Sequence, residues 1–287
     1  MRIHIEHTTT YRYVRPVVLH RHRLVLRPRE GHDLRVEQMQ LRIAPEYRLV
    51  WVRDVFGNSI ALVDWLEPAD ALTIVSDVVV ERFAPFPARE MNEPWRVPLT
   101  PQYDPLEAAV TAVYQQLSFL DSEPAVRAWL DASLTADATD AEGTMLALCG
   151  LVHASIHYQR RTEKGVQSPA RTLELKTGSC RDMATLMMEA ARLLGVASRF
   201  ASGYLHGSAS LAGQASTHAW TEIYLPLLGW RGFDPTLGTA ISLNHIVTGV
   251  SSHPRGVMPI SGRFTGCAGD CQSLSVAVRT EELSTTG

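Results

Sequence analysis

The chain has 287 residues, 45% of them hydrophobic and 20% charged, with a formal net charge of -3 from 27 Lys and Arg against 30 Asp and Glu. That length exceeds what a single core usually serves, so two units are expected, and the balanced charge offers no basic surface to nucleic acid or an anionic membrane. No run of about eighteen uncharged apolar residues occurs and the N-terminus lacks the apolar stretch of a signal peptide, so a cytoplasmic protein with no membrane partner is expected.

Residues 1–90 read as an all-β, sandwich-like unit. RIHIEHTTTYRYV, HRHRLVLRP, RVEQMQLRI, YRLVWVRDVFGNSIALVDW and ALTIVSDVVVERF alternate with period two between turn residues. Gly57 and Asn58 tolerate positive φ and mark a hairpin. The arginines and histidines that alternate along these strands are expected on a solvated sheet face. From Phe83 to Pro105 six prolines interrupt the chain, which predicts an extended linker over 91–105.

Residues 106–287 are expected to form an α+β unit with a C-terminal extension. DPLEAAVTAVYQQL, EPAVRAWLDASL and AEGTMLALCGLVHASIHY carry helical spacing, and Cys149 falls on the apolar face of the third with Leu146, Val152 and Ile156. A fourth helix opens at GSCRDMATLMMEAARLLG. Strands then follow in VASRFASGYL, THAWTEIYL and GWRGFDPT, which gives a helix packed on an antiparallel meander. The tail predicts a short helical or irregular stretch around Leu243 to Val247 and a hairpin of GRFTG with SLSVAVRT.

The chemistry concentrates at Cys180. Four cysteines, at 149, 180, 267 and 271, are too few for a disulfide scaffold, so each thiol is judged singly. Ser179 with Asp182 three residues on resembles a capping box, which makes Ser179 the N-cap and Cys180 the first helical residue. Helical spacing groups Cys180 with Ala184, Met187, Met188, Ala191 and Leu194, and turns Arg181, Thr185, Glu189 and Arg192 elsewhere. A helix N-terminus favours the thiolate and supplies N–H groups to a developing oxyanion. Taken alone, the same pattern fits a core cysteine.

A nucleophile needs a base. On a strand, His218 shares a face with Trp220, Glu222 and Tyr224, which by itself also fits a core histidine. In an antiparallel hairpin of even register Asp234 lies on that same face, across or diagonal from His218, where a carboxylate can orient an imidazole. Cysteine, histidine and aspartate then hold the roles of nucleophile, base and orienter.

These segments, GSCRDMATLMMEAARLLGVASRFASGYL and THAWTEIYLPLLGWRGFDPT, resemble the transglutaminase-like superfamily. HTTTYRYVRPVVLHRHRLVLRPRE, DVFGNS and PISGRFTG resemble its bacterial subgroup with a β-rich N-terminal domain. The resemblance implies a papain-like core with a Cys180, His218, Asp234 triad, and a peptidase or amidase acting on a peptide or protein substrate. Acyl transfer to an amine, or an idle peptide-binding module, are the other outcomes. The glutamine that precedes the cysteine in papain-like enzymes is absent; Glu174 stands there, so the second oxyanion donor is open among Gln167, Trp220 and Tyr158. No cofactor is implied, and no calcium pattern is present. Cys267 and Cys271, with only His245 and His253 nearby in sequence, fall short of a zinc site and read as incidental thiols or a redox-sensitive pair.

Overall fold

The computed structural model describes residues 1–83, 97–161, 163, 165–207 and 216–284. The alternating N-terminal segments form β1 (Arg2–Leu19), β2 (His22–Leu24), β3 (Leu34–Ala44), β4 (Tyr47–Arg53), β5 (Ser59–Trp65) and β6 (Ala69–Arg82). One sheet carries β1, β6 and β3, a second carries β2, β5 and β4. Tyr13, Leu24, Val63, Leu72 and Ile74 fill the space between them, because period-two alternation gives each strand one apolar face. This is the expected sandwich. The β4–β5 hairpin turns at Gly57, whose φ of +76° suits glycine. Two of the histidines depart from the solvated face: His7 and His22 are buried. His7 bonds the Tyr204 hydroxyl at 3.0 Å, and burial pushes its imidazole down to about 4.

Residues 91–96 of the expected linker lie outside the described residues. Residues 97–104 run without regular structure against the second unit, where Val97 joins the core and the Tyr103 hydroxyl accepts from the Ala197 N–H at 2.8 Å. Then come α1 (Pro105–Gln115), α2 (Glu123–Ser133), α3 (Ala141–Ser155), β7 (His157–Tyr158), α4 (Pro169–Leu175), β8 (Thr177–Gly178) and α5 (Cys180–Leu193). The antiparallel sheet is built from β9 (Ser198–Leu205), β10 (Ser216–Leu225), β11 (Gly229–Asp234), β12 (Thr239–Ala240) and β13 (His245–Ser251), in the order β12-β11-β10-β9-β13. Cys149 is buried with Val152 and Ile156, whereas Leu146 turns outward. No described helix is long and apolar enough to cross a membrane.

Helix α5 lies on β9 and β10, with Ala184 and Met188 against Phe200 and Ala219. Thr221 Oγ1 donates to the Ala184 carbonyl at 2.8 Å. Other helices cover its far side, so Thr185, Glu189 and Arg192, expected to point away, are buried too. The two charges survive burial by pairing at 2.8 Å and by further bonds: Glu189 accepts from the Ser118 and Phe119 N–H groups, and Arg192 donates to the Ser198 and Ser252 carbonyls.

The tail departs from expectation in two places. Of the stretch expected to be helical or irregular, Leu243 and Asn244 form a turn, whereas His245 to Val247 open β13, because they complete the unfilled edge of β9. After β14 (Ile260–Ser261) and β15 (Phe264–Thr265), β16 (Cys271–Leu283) runs along β1 from Arg2 to Tyr13. GRFTG and SLSVAVRT therefore do not pair with each other. Each pairs with β1, and residues 271–283, within the span given to the second unit, complete the first unit's sheet.

Asn58 ties the sandwich to the second sheet. Fully buried, it donates from Nδ2 to the Val250 carbonyl at 2.8 Å and accepts the Val250 N–H at 2.9 Å, as a strand neighbour would. Asn58→Ala strands both Val250 groups without partners, and a loss of about 3 kcal/mol is expected by urea titration. A change below about 0.5 kcal/mol would show that water replaces the clamp.

Candidate active site

The N-terminus of α5 is held by one carboxylate. Asp182, with no exposed surface, accepts from the Ser179 N–H at 2.8 Å and the Ser179 hydroxyl at 2.7 Å, closing the first turn as the capping pattern predicts. It also accepts from Gln167 N at 2.7 Å and from Arg161 Nη1 at 2.8 and 2.9 Å, which binds the preceding loop to the helix. Burial alone would raise the Asp182 carboxyl; these donors outweigh it and hold it below the usual carboxylate range. Gly178 is required here, since a Cβ would lie 2.9 Å from the Asp182 Cβ. Cys180 follows as the first residue of α5, so its backbone N–H has no acceptor within the helix. Its side chain is partly exposed and packs beside Ala184, Met188, Phe200, Ala219 and Val257.

Strand β10 brings His218 to the thiol. Thr221 pairs with Phe233 in the β10–β11 ladder; continuing that register sets Asp234 across from Trp220 and diagonal to His218. The even register expected from the sequence is the one observed. Asp234 Oδ2 lies 2.7 Å from His218 Nε2, and the Thr236 N–H holds Oδ1 at 2.9 Å. With Nε2 engaged, Nδ1 is the ring nitrogen left for Cys180, whose side chain lies within electrostatic reach of the ring. Burial disfavours the His218 cation, but the bond to Asp234 and the charges of Asp234 and Cys180 prevail and raise it to about 10. Burial likewise opposes the Asp234 charge, and its two histidine donors, His218 and His245, override that and hold its carboxyl far below the usual range.

His245 was not singled out for the site by its sequence. It opens β13, and its Nε2 reaches the same Asp234 Oδ2 at 3.0 Å. Gly203 makes room: it pairs with His218 on β10 and Val247 on β13, and a Cβ there would strike the Ile246 carbonyl oxygen at 2.0 Å. Trp220 closes the pocket, its ring edge-on to His245 with centroids 5.3 Å apart.

Of the open oxyanion donors, Gln167 gives one of its two amide N–H groups to the Thr177 carbonyl at 3.0 Å. Trp220 Nε1 is buried with no partner among the described residues. Tyr158 stands beside Gly178 in the β7–β8 pair and within electrostatic reach of Cys180. Glu174 is exposed and pairs with Arg171 at 2.7 Å, away from the thiol. A groove of about 630 Å³ beside these elements is lined by His153, His157, Tyr158, Lys176, Met183 and Thr236.

His218, Asp234 and His245 offer three ligand atoms within 4.8 Å of one another. The hydrogen bonds assign them another role. Ser242 N–H donates to His245 Nδ1 at 3.1 Å, which makes Nδ1 the acceptor and places the proton on Nε2, where a metal would need a lone pair.

Residues 3–81 match the family model described as the bacterial transglutaminase-like N-terminal region, and residues 129–235 match that of the transglutaminase-like superfamily. The chain belongs to the transglutaminase-like superfamily. The second match ends one residue beyond Asp234 and contains Cys180 and His218. An uncharacterized protein of Mycobacterium tuberculosis is 27% identical over 289 residues, covering 91% of this transglutaminase-like chain and 87% of its own length. Another, of Mycobacterium leprae, is 24% identical over 288 residues, covering 92% and 94%. A crystal structure described as a "Putative Cysteine Protease" from Cytophaga hutchinsonii superposes with a TM-score of 0.75 at 15% identity, covering 100% of this chain and 92% of that one. That likeness carries the mixed α+β fold, with its β-rich N-terminal part, across both units.

Proposed function

We propose that this protein is a thiol-dependent hydrolase of amide bonds in a peptide or protein. The carrying observation is the 2.7 Å contact of Asp234 Oδ2 with His218 Nε2, which leaves Nδ1 for Cys180 at the N-terminus of α5. In the first step Cys180 Sγ gives up its proton to His218 Nδ1 and attacks the carbonyl carbon. The C–N bond then breaks, and the leaving amine takes the proton from His218. A thioester remains. Water, losing a proton to His218, attacks it, and collapse releases the acid and the thiol. The Cys180 N–H is the first donor to the oxyanion. Papain-like geometry and the superfamily support this reading; water as acceptor follows from its constant availability where nothing is seen to exclude it.

The thiols test the assignment first. Cys149 is buried, and burial, aided by the Asp234 charge, pushes it up to about 12, so it should resist alkylation. With limiting iodoacetamide at neutral pH, Cys180 is expected to label ahead of the exposed Cys267, because it opens a helix beside a histidine that can act as its base. Earlier labelling of Cys267 counts against it. The decisive experiment incubates the protein and Cys180→Ala with a peptide library and a labelled primary amine. Cleavage that depends on Cys180, without incorporation, supports the hydrolase; incorporation outrunning cleavage makes it an acyltransferase. Equal peptide binding by both proteins with neither product makes it a binding module.

A further inference from the structure

Asp234 serves two imidazoles. Its Oδ2 lies 2.7 Å from His218 Nε2 and 3.0 Å from His245 Nε2, while its Oδ1 accepts the Thr236 N–H. His245 is 2% exposed, and its other nitrogen accepts the Ser242 N–H at 3.1 Å, so its ring is clamped from both ends in one tautomer. A buried histidine so placed is a donor aimed at the oxygen that orients His218.

We propose that His245 is a positioning residue, a neutral imidazole whose Nε2–H fixes the Asp234 carboxylate at the angle from which it holds His218. The inference rests on the reading of Cys180, His218 and Asp234 given above. Without His245 the carboxylate would be held by the Thr236 N–H on Oδ1 and, on Oδ2, only by the ring it orients; a donor on Oδ2 from β13 anchors it independently of His218. The groups facing this pair come from four elements: His218 and Trp220 on β10, Cys149 on α3, Thr236 beyond β11, and Ser242 before β13. Of these only His218 and Cys149 titrate. Cys149 stays protonated through the neutral range, which leaves His218 to report any change in the carboxylate.

The test needs no substrate. The pH dependence of Cys180 alkylation reads its pairing with His218, and wild type should show a reactive plateau that lasts until His218 deprotonates. His245→Leu is expected to slow alkylation several-fold at neutral pH and move the plateau's upper edge down by about one unit, since a displaced carboxylate supports the imidazolium less. His245→Gln, whose amide N–H reaches the same oxygen, should restore it. An unchanged curve in folded His245→Leu overturns the proposal by leaving the ring a packing role. An upward shift overturns it too, because His245 would then be drawing the carboxylate away from His218. Zinc bound one-to-one by wild type and lost in the variant would make His245 a ligand instead. If His245→Leu does not fold, nitrogen NMR of histidine-labelled wild type decides: the neutral Nε2–H tautomer is expected, and Nδ1–H or a doubly protonated ring at neutral pH overturns the assignment. A wild-type curve with no plateau fails the triad reading itself, and this proposal with it.

Discussion

Cys180→Ala is expected to abolish turnover, by about 10⁶-fold where the chemistry is limiting, while its melting temperature stays within a few degrees of wild type. The first half follows from the mechanism: with no sulfur there is no thioester, and binding plus an oxyanion donor give only residual rate. The second half follows from position. Cys180 is the first residue of α5 and partly exposed, so the exchange removes one sulfur from the margin of the cluster around Phe200 and Val257. Alanine keeps the helix, and the Ser179–Asp182 cap is untouched. Differential scanning calorimetry beside a turnover assay separates the two halves. A stability loss above about 3 kcal/mol with activity retained would mark Cys180 as a core spacer.

Asp234→Asn should lower kcat by about 10⁴-fold. The carboxylate accepts from His218 and His245 through one oxygen and from Thr236 N–H through the other. An asparagine can accept on one side only. If its amide nitrogen faces His218, that ring must turn its lone pair to Nε2 and its proton to Nδ1, where it can no longer receive the thiol proton. If the nitrogen faces Thr236, two N–H groups oppose each other in a buried site, at about 1–3 kcal/mol. Either arrangement also removes a pH-dependent stabilisation. Asp234 is depressed on folding, so its share is present above the ordinary carboxylate pKa and fades as pH falls below about 4. His218 is raised to about 10, so its share is full below about 6.5 and is lost as pH climbs through the folded value. The stability gap between wild type and variant should therefore be widest between about pH 4 and 6.5 and narrow on both sides. Equal kcat for the two proteins would remove Asp234 from the mechanism, and a gap that widens above pH 8 would contradict the ion pair.

Local rules made the first part of the site legible in the sequence. Ser179 and Asp182 announce a helix start, and that alone puts a thiol at a dipole's positive end. Alternation in THAWTEIYL puts His218 and Trp220 on one face, and the tight turn before Gly229 sets the parity that brings Asp234 to it. Each step spans a few residues or one hairpin, where caps, period and turn geometry act without help from the rest of the chain. The sandwich was legible for the same reason, strand by strand.

What joins those pieces was decided by packing. His245 lies in ISLNHIVTGV, a stretch with no clear period, and it becomes a strand only because β9 offers an open edge and Gly203 lets it come close. Asn58 meets Val250 across 192 residues, β16 meets β1 across nearly the whole chain, and Glu189 and Arg192 are buried only because other helices close over α5. Hydrophilic residues give no sign in sequence that a distant backbone will supply their partners, since burial of a polar group is tolerated wherever hydrogen bonds are completed, and completion is a property of the folded whole. The sequence by itself thus determined, through short-range geometry, that Cys180 opens a helix and that His218 and Asp234 share one face of a hairpin; the family resemblance joined the three into a proposed triad. Only the tertiary structure decided that Asp234 is shared by His218 and a second histidine, His245, because that contact depends on where three separate strands end.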